Sequence, residues 1–140
     1  YLQEHIPISR SMAVTVVVSD ARRVVLEAPL EPNSNHRGTA FGGSVSTLAT
    51  LAGWASVHTR LEASGLAGNT VIQHGSIHYD APITGSFRAI CPAVETGTWE
   101  RFVRTVERRG RGRIRVDVTV EAGGVAAARF RGAYVTFSGD

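Results

Sequence analysis

The chain has 140 residues, a formal charge of +3, fifteen basic side chains that are all arginine, and a single cysteine, Cys91. That length suits one domain over 1–140 that folds without staples, since a chain of this size buries roughly 68–70% of its unfolded surface. A lone cysteine excludes an intrachain disulfide and a CxxC metal site and fits a reducing, cytoplasmic compartment, while +3 spread along the chain is too little to argue for nucleic acid.

The first twelve residues, YLQEHIPISRSM, read as a short amphipathic helix or turn that Pro7 interrupts or starts. The sequence starts at Tyr1 rather than Met, which leaves an upstream leader or domain open. AVTVVVSD and RVVLEAPL are β-branched runs separated by a short polar link, the pattern of a strand pair. EPNSN follows as a turn-rich loop.

From Gly38 to Thr59 there is no Asp, Glu, Lys or Arg. Val45, Leu48, Ala49, Ala52, Ala55 and Val57 fall near helical spacing, and the positions between them are small. A helix that is apolar or small all round is buried on most sides. Its many Ser, Thr and Gly residues argue against a membrane span, which takes about 20 predominantly apolar residues. Gly65 is a plausible stop.

The remainder reads as four or five strands: TVIQHGSIHYDAP, GSFRAICPAVE, WERFVRTVERR, RIRVDVTVEA and VAAARFRGAYVTF. In RIRVDVTVEA the apolar residues Ile114, Val116, Val118 and Val120 alternate with charged or polar ones, one face dry and one wet. ERRGRGRIR is read as a hairpin turn crowded with arginines, among them Arg109 and Arg111. The order strand, strand, long helix, then strands predicts an α+β layout with one curved antiparallel sheet wrapped around a single helix. Dimerisation would then cover the sheet edges and the helix mouth.

A strand pair, then NxNHRGTAFGGS opening a central helix, then IHYDAPITGSF on the next strand resembles the hotdog-fold acyl-thioesterases over nearly the whole chain. The nearest likeness is to the thioesterase domain also found fused behind GNAT-type acetyltransferases, with a more distant one to phenylacetic-acid-pathway thioesterases. The resemblance implies a homodimer or dimer of dimers with its sites at the interface. It implies hydrolysis of an acyl thioester on coenzyme A or acyl carrier protein. Apart from the resemblance, no cofactor, metal, nucleic acid or membrane is expected. In the phenylacetic type a His precedes the Gly-Gly pair and an acid follows on the helix. Here Phe41 and Thr50 stand at those positions, and Asn35 matches their Asn.

Thioester hydrolysis needs a cradle for the oxyanion, a positioned water and a proton acceptor. A helix N-terminus offers free N–H groups and a partial positive charge, and Gly42 and Gly43 let a carbonyl approach them. His36 is the candidate base, and Asn33 and Asn35 can orient a water or a carbonyl. Thr39, Ser44 and Thr50 can hydrogen-bond along the channel, Phe41 can line an acyl pocket, and Arg109 and Arg111 can hold phosphates or a carrier's acidic surface. The plainer alternatives are that Asn35 or Thr39 caps the helix and the glycines serve only close packing. Ser44 lacks the G-x-S-x-G context of a nucleophile. His74 and His78 share a strand face without an obvious third ligand. Asp80 is read as a turn carboxylate or an acid offered to a partner subunit. Two further functions stay open: a hotdog enoyl-thioester hydratase or dehydratase, and a non-catalytic acyl-CoA-binding or dimerisation module.

Overall fold

The structure is a computed structural model that describes residues 1–139. Two single-turn helices, α1 (Leu2–His5) and α2 (Ile8–Ser11), lead in, with Pro7 at the N-cap of the second. Strands β1 (Thr15–Ser19) and β2 (Arg23–Ala28) form an antiparallel pair, and a turn of 3-10 helix over Glu31–Asn33 leads to the long helix α3 (Gly42–Ala63). Then come β3 (Gly68–Tyr79), β4 (Phe87–Pro92), a second substantial helix α4 (Thr96–Arg109), β5 (Arg111–Ala122) and β6 (Val125–Ser138).

The six strands make one antiparallel sheet in the order β1-β2-β4-β5-β6-β3, so the twelve-residue β3 lies at an edge. Helix α3, about 33 Å long at 1.5 Å per residue, packs on the sheet's inner face. Its Val45, Leu48, Ala49, Ala52 and Val57 are buried against inward residues such as Leu26, Phe87, Val118 and Tyr134. This is the α+β hotdog architecture the resemblance implied. The uncharged character of α3 follows from its place: sheet covers most of its circumference, and an unpaired charge there would cost several kcal/mol.

Close approaches at Gly53 and Gly112 depend on the missing Cβ. A Cβ at Gly53 would lie 2.4 Å from the Tyr134 hydroxyl, which donates to the Thr50 carbonyl at 2.7 Å. A Cβ at Gly112 would lie 2.7 Å from Val106, which is how α4 folds back onto β5. The β5–β6 hairpin turns through Gly123 and Gly124, both with positive φ, as a two-residue hairpin of this hand requires.

Helix α4 corrects the sequence reading of WERFVRTVERR as a strand. Trp99, Phe102 and Val106 are buried and Val103 half-buried, while Glu100, Arg101, Arg104, Glu107 and Arg108 are exposed. Spacing of i, i+3, i+4, i+7 is helical, and it outweighs the strand preference of the individual aromatic and β-branched residues. The helix ends at Gly110 in the left-handed conformation, φ 76°. ERRGRGRIR is therefore a helix end running into β5, not a hairpin, and four strands rather than five follow α3. No helix among the described residues is long and apolar enough to cross a membrane.

Candidate functional site at the mouth of the central helix

The loop from Pro29 to Phe41 delivers the chain to the start of α3, and two asparagines shape it. Asn33 is only 2% exposed. Its Nδ2 donates to the carbonyls of Met12 and Pro29 at 2.9 and 2.8 Å, and its own carbonyl accepts from the Phe41 N–H at 2.7 Å. Asn33 thus ties the end of α2, the end of β2 and the helix entrance together. Its Oδ1 is buried with no partner among the described residues.

Asn35 closes a tight turn. Its Oδ1 accepts the N–H groups of Arg37 and Thr39 at 2.8 and 3.1 Å, and its Nδ2 donates to the Thr39 hydroxyl at 2.7 Å. Gly38 takes φ 77° within this turn. His36 and Arg37 stand exposed at the tip, and beyond them the Ala40 N–H binds the Ile83 carbonyl.

At the helix entrance Phe41 is extended, φ −62°, ψ 131°. The N–H groups of Ser44 and Val45 already point to the Phe41 carbonyl, whereas those of Gly42 and Gly43 have no partner among the described residues. These two free donors sit at the positive end of a 22-residue helix. The Phe41 ring lies over Gly43, where a Cβ would come within 2.4 Å of it. Facing them, Tyr79 donates its hydroxyl to the Gly42 carbonyl at 2.9 Å. A cleft of about 380 Å³ opens here, bounded by Gly42, Val45, Tyr79, Asp80, Ile83 and Ala127. Asp80 is gripped by Arg129 through two hydrogen bonds of 2.8 and 3.1 Å. That hydrogen-bonded pairing holds its carboxyl below the usual carboxylate range, so it is ionised at neutral pH.

Of the residues read from the sequence, Gly42 lines this cleft, while Asn35, His36, Thr39, Phe41 and Gly43 lie on the loop and helix start that lead to it, and Ser44 is half-buried in the first helical turn. Thr50 lies two turns further on, its hydroxyl donating to the Ser46 carbonyl at 2.9 Å. Arg109 and Arg111 are not at this mouth within the chain. Arg111 pairs with Phe137, beside the Gly68–Ser138 end of the sheet, while Tyr79 pairs with Ala128 at the other end, a β3 strand of roughly 36 Å away. His74 and His78 are exposed on the sheet's outer face, opposite Ala133 and Arg129. No group of three or more metal-ligating side chains occurs among the described residues.

Sequence reading missed two partnerships, Tyr79 with Gly42 and Arg129 with Asp80. Tyr79 lies in the IHYDAPITGSF piece that carries the family resemblance, but 37 residues separate it from Gly42, and only the sheet's register brings them together.

Solved structures share this arrangement. A protein of unknown function from Chlorobaculum tepidum TLS matches with a TM-score of 0.95 and 31% identity, over 99% of this chain and 90% of that one. A putative thioesterase from Shewanella oneidensis matches with a TM-score of 0.86 and 27% identity, over 97% and 92%. A probable thioesterase from Pseudomonas aeruginosa, 20% identical over 98% and 91%, shares the fold with a TM-score of 0.84. The sequence model of one family spans both the helix mouth and the sheet around it: over residues 1–138 the chain belongs to the YiiD_C family, described as a putative thioesterase.

Proposed function

We propose that the protein hydrolyses acyl thioesters carried on coenzyme A or acyl carrier protein, with the thioester carbonyl seated on the free amides of Gly42 and Gly43. Family membership supports thioester hydrolysis in general. The observation that carries the finer reading is the pair of unpartnered N–H groups at the N-terminus of α3, of which Gly42 lines the cleft and Gly43 follows it beneath the Phe41 ring.

The chemistry follows from that cradle. Water attacks the carbonyl carbon, the C=O electron pair moves to oxygen, and the two amides stabilise the oxyanion. Preorganised donors of this kind are worth about 2.7–4 kcal/mol each. His36, on the turn that enters the helix, is the base assigned to take the water's proton. On collapse the C–S bond breaks and the thiolate leaves, recovering that proton. Asn35 commits its Oδ1 and one N–H of its Nδ2 to Arg37 and Thr39, so its role is to hold the turn that carries His36. Asp80, ionised and clamped by Arg129, contributes a fixed negative charge at the cleft's rim.

The edge strand β3 supports a homodimer. Val71, Ile72 and Tyr79 are exposed along an edge of twelve residues, a template for a second copy. Antiparallel pairing of two β3 strands about a two-fold axis sets the Gly68 end of one beside the Tyr79 end of the other. Arg109 and Arg111 of the second copy then approach the first copy's cleft, where they suit the phosphates of coenzyme A or a carrier's acidic surface.

The test is to incubate purified protein with acyl-CoA and acyl-carrier thioesters of graded length and follow free thiol, alongside hydration of an enoyl-CoA. Thiol release supports the reading. Binding without turnover favours the non-catalytic module, and hydration without thiol release favours the hydratase.

A further inference from the structure

A second cleft, of about 350 Å³, lies at the far half of α3, away from the β3 edge. Its walls are the β1–β2 turn, the start of β2, Ala93 after β4, and Ser56, Thr59, Arg60 and Ala63 on the helix. Ser56 is fourteen residues beyond Gly42, about 21 Å along the helix axis, so this cleft is separate from the helix mouth.

Its unusual member is Arg60. Arg88, Arg129 and Arg131 all pair with carboxylates, whereas Arg60 makes no ion pair among the described residues. Those paired arginines are exposed, yet Arg60 is half-buried. An exposed unpaired arginine is solvated by water and needs no explanation; a half-buried one carries a desolvation cost. Burial accordingly lowers its pKa from the ordinary guanidinium value.

The side chain is also held in place. One Nη donates to the Val94 carbonyl at 2.8 Å, and the guanidinium lies 4.4 Å from the centroid of the Trp99 ring. One N–H of the five is thereby used, and the rest of the fork is pre-organised for a planar anion. Arg23 stands on the same cleft, and the single acid there, Asp20, already accepts the N–H groups of Arg22 and Arg23 at 2.8 and 3.0 Å. The other walls are small: Ala21, Val24, Ala63, Ala93 and the hydroxyl residues Ser56 and Thr59.

We propose that this cleft binds a small monocarboxylate with a short aliphatic tail, its carboxylate on Arg60 and its tail along the alanine and valine wall. Arg23 and Arg60 against the one carboxylate of Asp20 leave the cleft net positive, and a positive, mostly apolar surface suits an amphiphile better than a compact, fully hydrated anion. Free acids of this kind are also what thioester hydrolysis releases, but binding here does not rest on that reading, and thiol release plays no part in the test.

The probes are octanoate, octanol and inorganic phosphate, titrated into the intact protein by calorimetry. Octanoate should saturate the cleft, with octanol and phosphate each bound about tenfold more weakly or worse. Arg60→Gln should weaken octanoate by about tenfold or more, the cost of a charge-assisted pair of hydrogen bonds. Because losing the stack on Trp99 could unfold the chain, Ala63→Phe provides a second route: it fills the cleft from an exposed helix position and leaves Arg60 intact. Thermal denaturation confirms that each variant folds. No saturable binding of octanoate overturns the proposal, as does equal affinity for octanol or phosphate. Octanoate binding that is unchanged in Ala63→Phe and in any folded Arg60→Gln places the ligand elsewhere and overturns it too.

Discussion

Replacing Gly42 by proline removes one amide of the proposed cradle and almost nothing else. Gly42 is the first residue of α3, where proline is favoured because its missing N–H is one the helix does not use. Phe41 before it is already extended, the conformation a pre-proline residue requires. A Cβ at position 42 meets the Tyr79 ring at 3.4 Å, an ordinary contact, and the Gly42 carbonyl that accepts from Tyr79 is retained. The fold should therefore survive with a stability change within about 1 kcal/mol. Removing one oxyanion donor costs about 2.7–4 kcal/mol of barrier, so kcat should fall roughly 10²- to 10³-fold with KM changed far less. Gly42→Ala is the matched control, since it adds similar bulk and keeps the N–H. Steady-state thiol release on the best acyl-CoA substrate, with circular dichroism on all three proteins, reads the outcome. If the proline variant is folded and turns over within about threefold of the parent, the cradle is not at this amide. If alanine is as damaging as proline, the effect is steric, and the electrostatic account fails.

Gly53→Ala should destabilise the protein by roughly 1–3 kcal/mol, measured by urea denaturation, because its Cβ falls 2.4 Å from the hydroxyl of the fully buried Tyr134. Asp80, whose carboxyl is held down by Arg129, adds stability that is fully present above its unfolded pKa of about 3.9 and is lost as pH falls through the lower folded value. The acid limb of the stability–pH curve should therefore be shallower in Arg129→Gln than in the parent, and identical limbs would remove the pair from the account. The buried Cys91 thiol is pushed up to about 11 by desolvation, so an aromatic disulfide reagent at pH 8 should label it only on unfolding. If the proposed β3–β3 dimer forms, analytical ultracentrifugation should show twice the chain mass for the parent and the single-chain mass for Val71→Glu combined with Ile72→Glu; equal masses would refute that edge as the interface.

How much of this was legible beforehand divides by the range of the interaction that decides it. The uncharged run after Gly38 revealed α3, because a helix wrapped by sheet cannot place a charge on most of its circumference. The alternation from Ile114 to Val120 revealed β5, because one face of a sheet is dry and the other wet. Both are nearest-neighbour consequences of burial. Helix α4 differs from the strand reading of WERFVRTVERR: Trp99, Phe102, Val103 and Val106 are residue types that favour strands, yet they keep helical spacing. Its exposed arginines and glutamates complete an amphipathic stripe that the period alone would have shown.

The site divides in the same way. Asn35, Thr39 and Gly38 form a turn whose hydrogen bonds span four residues, so the NxNHRGT string could announce it. Asn33 sits two positions earlier yet spends its amide on Met12, twenty-one residues away, and nothing local distinguishes a buried tie from a water-holding side chain. Tyr79 reaches Gly42 only because β3 pairs with β6 over its whole length, with a register shift between Ile72 and His74, and presents Tyr79 on the helix-facing side. The same register sends Arg109 and Arg111 to the opposite end of the sheet. A basic string and a helix mouth that look like partners in sequence are thus a strand's length apart in one chain. If they cooperate on a thioester, they do so across the β3 edge, between two copies, which makes the dimer a requirement of the proposed site.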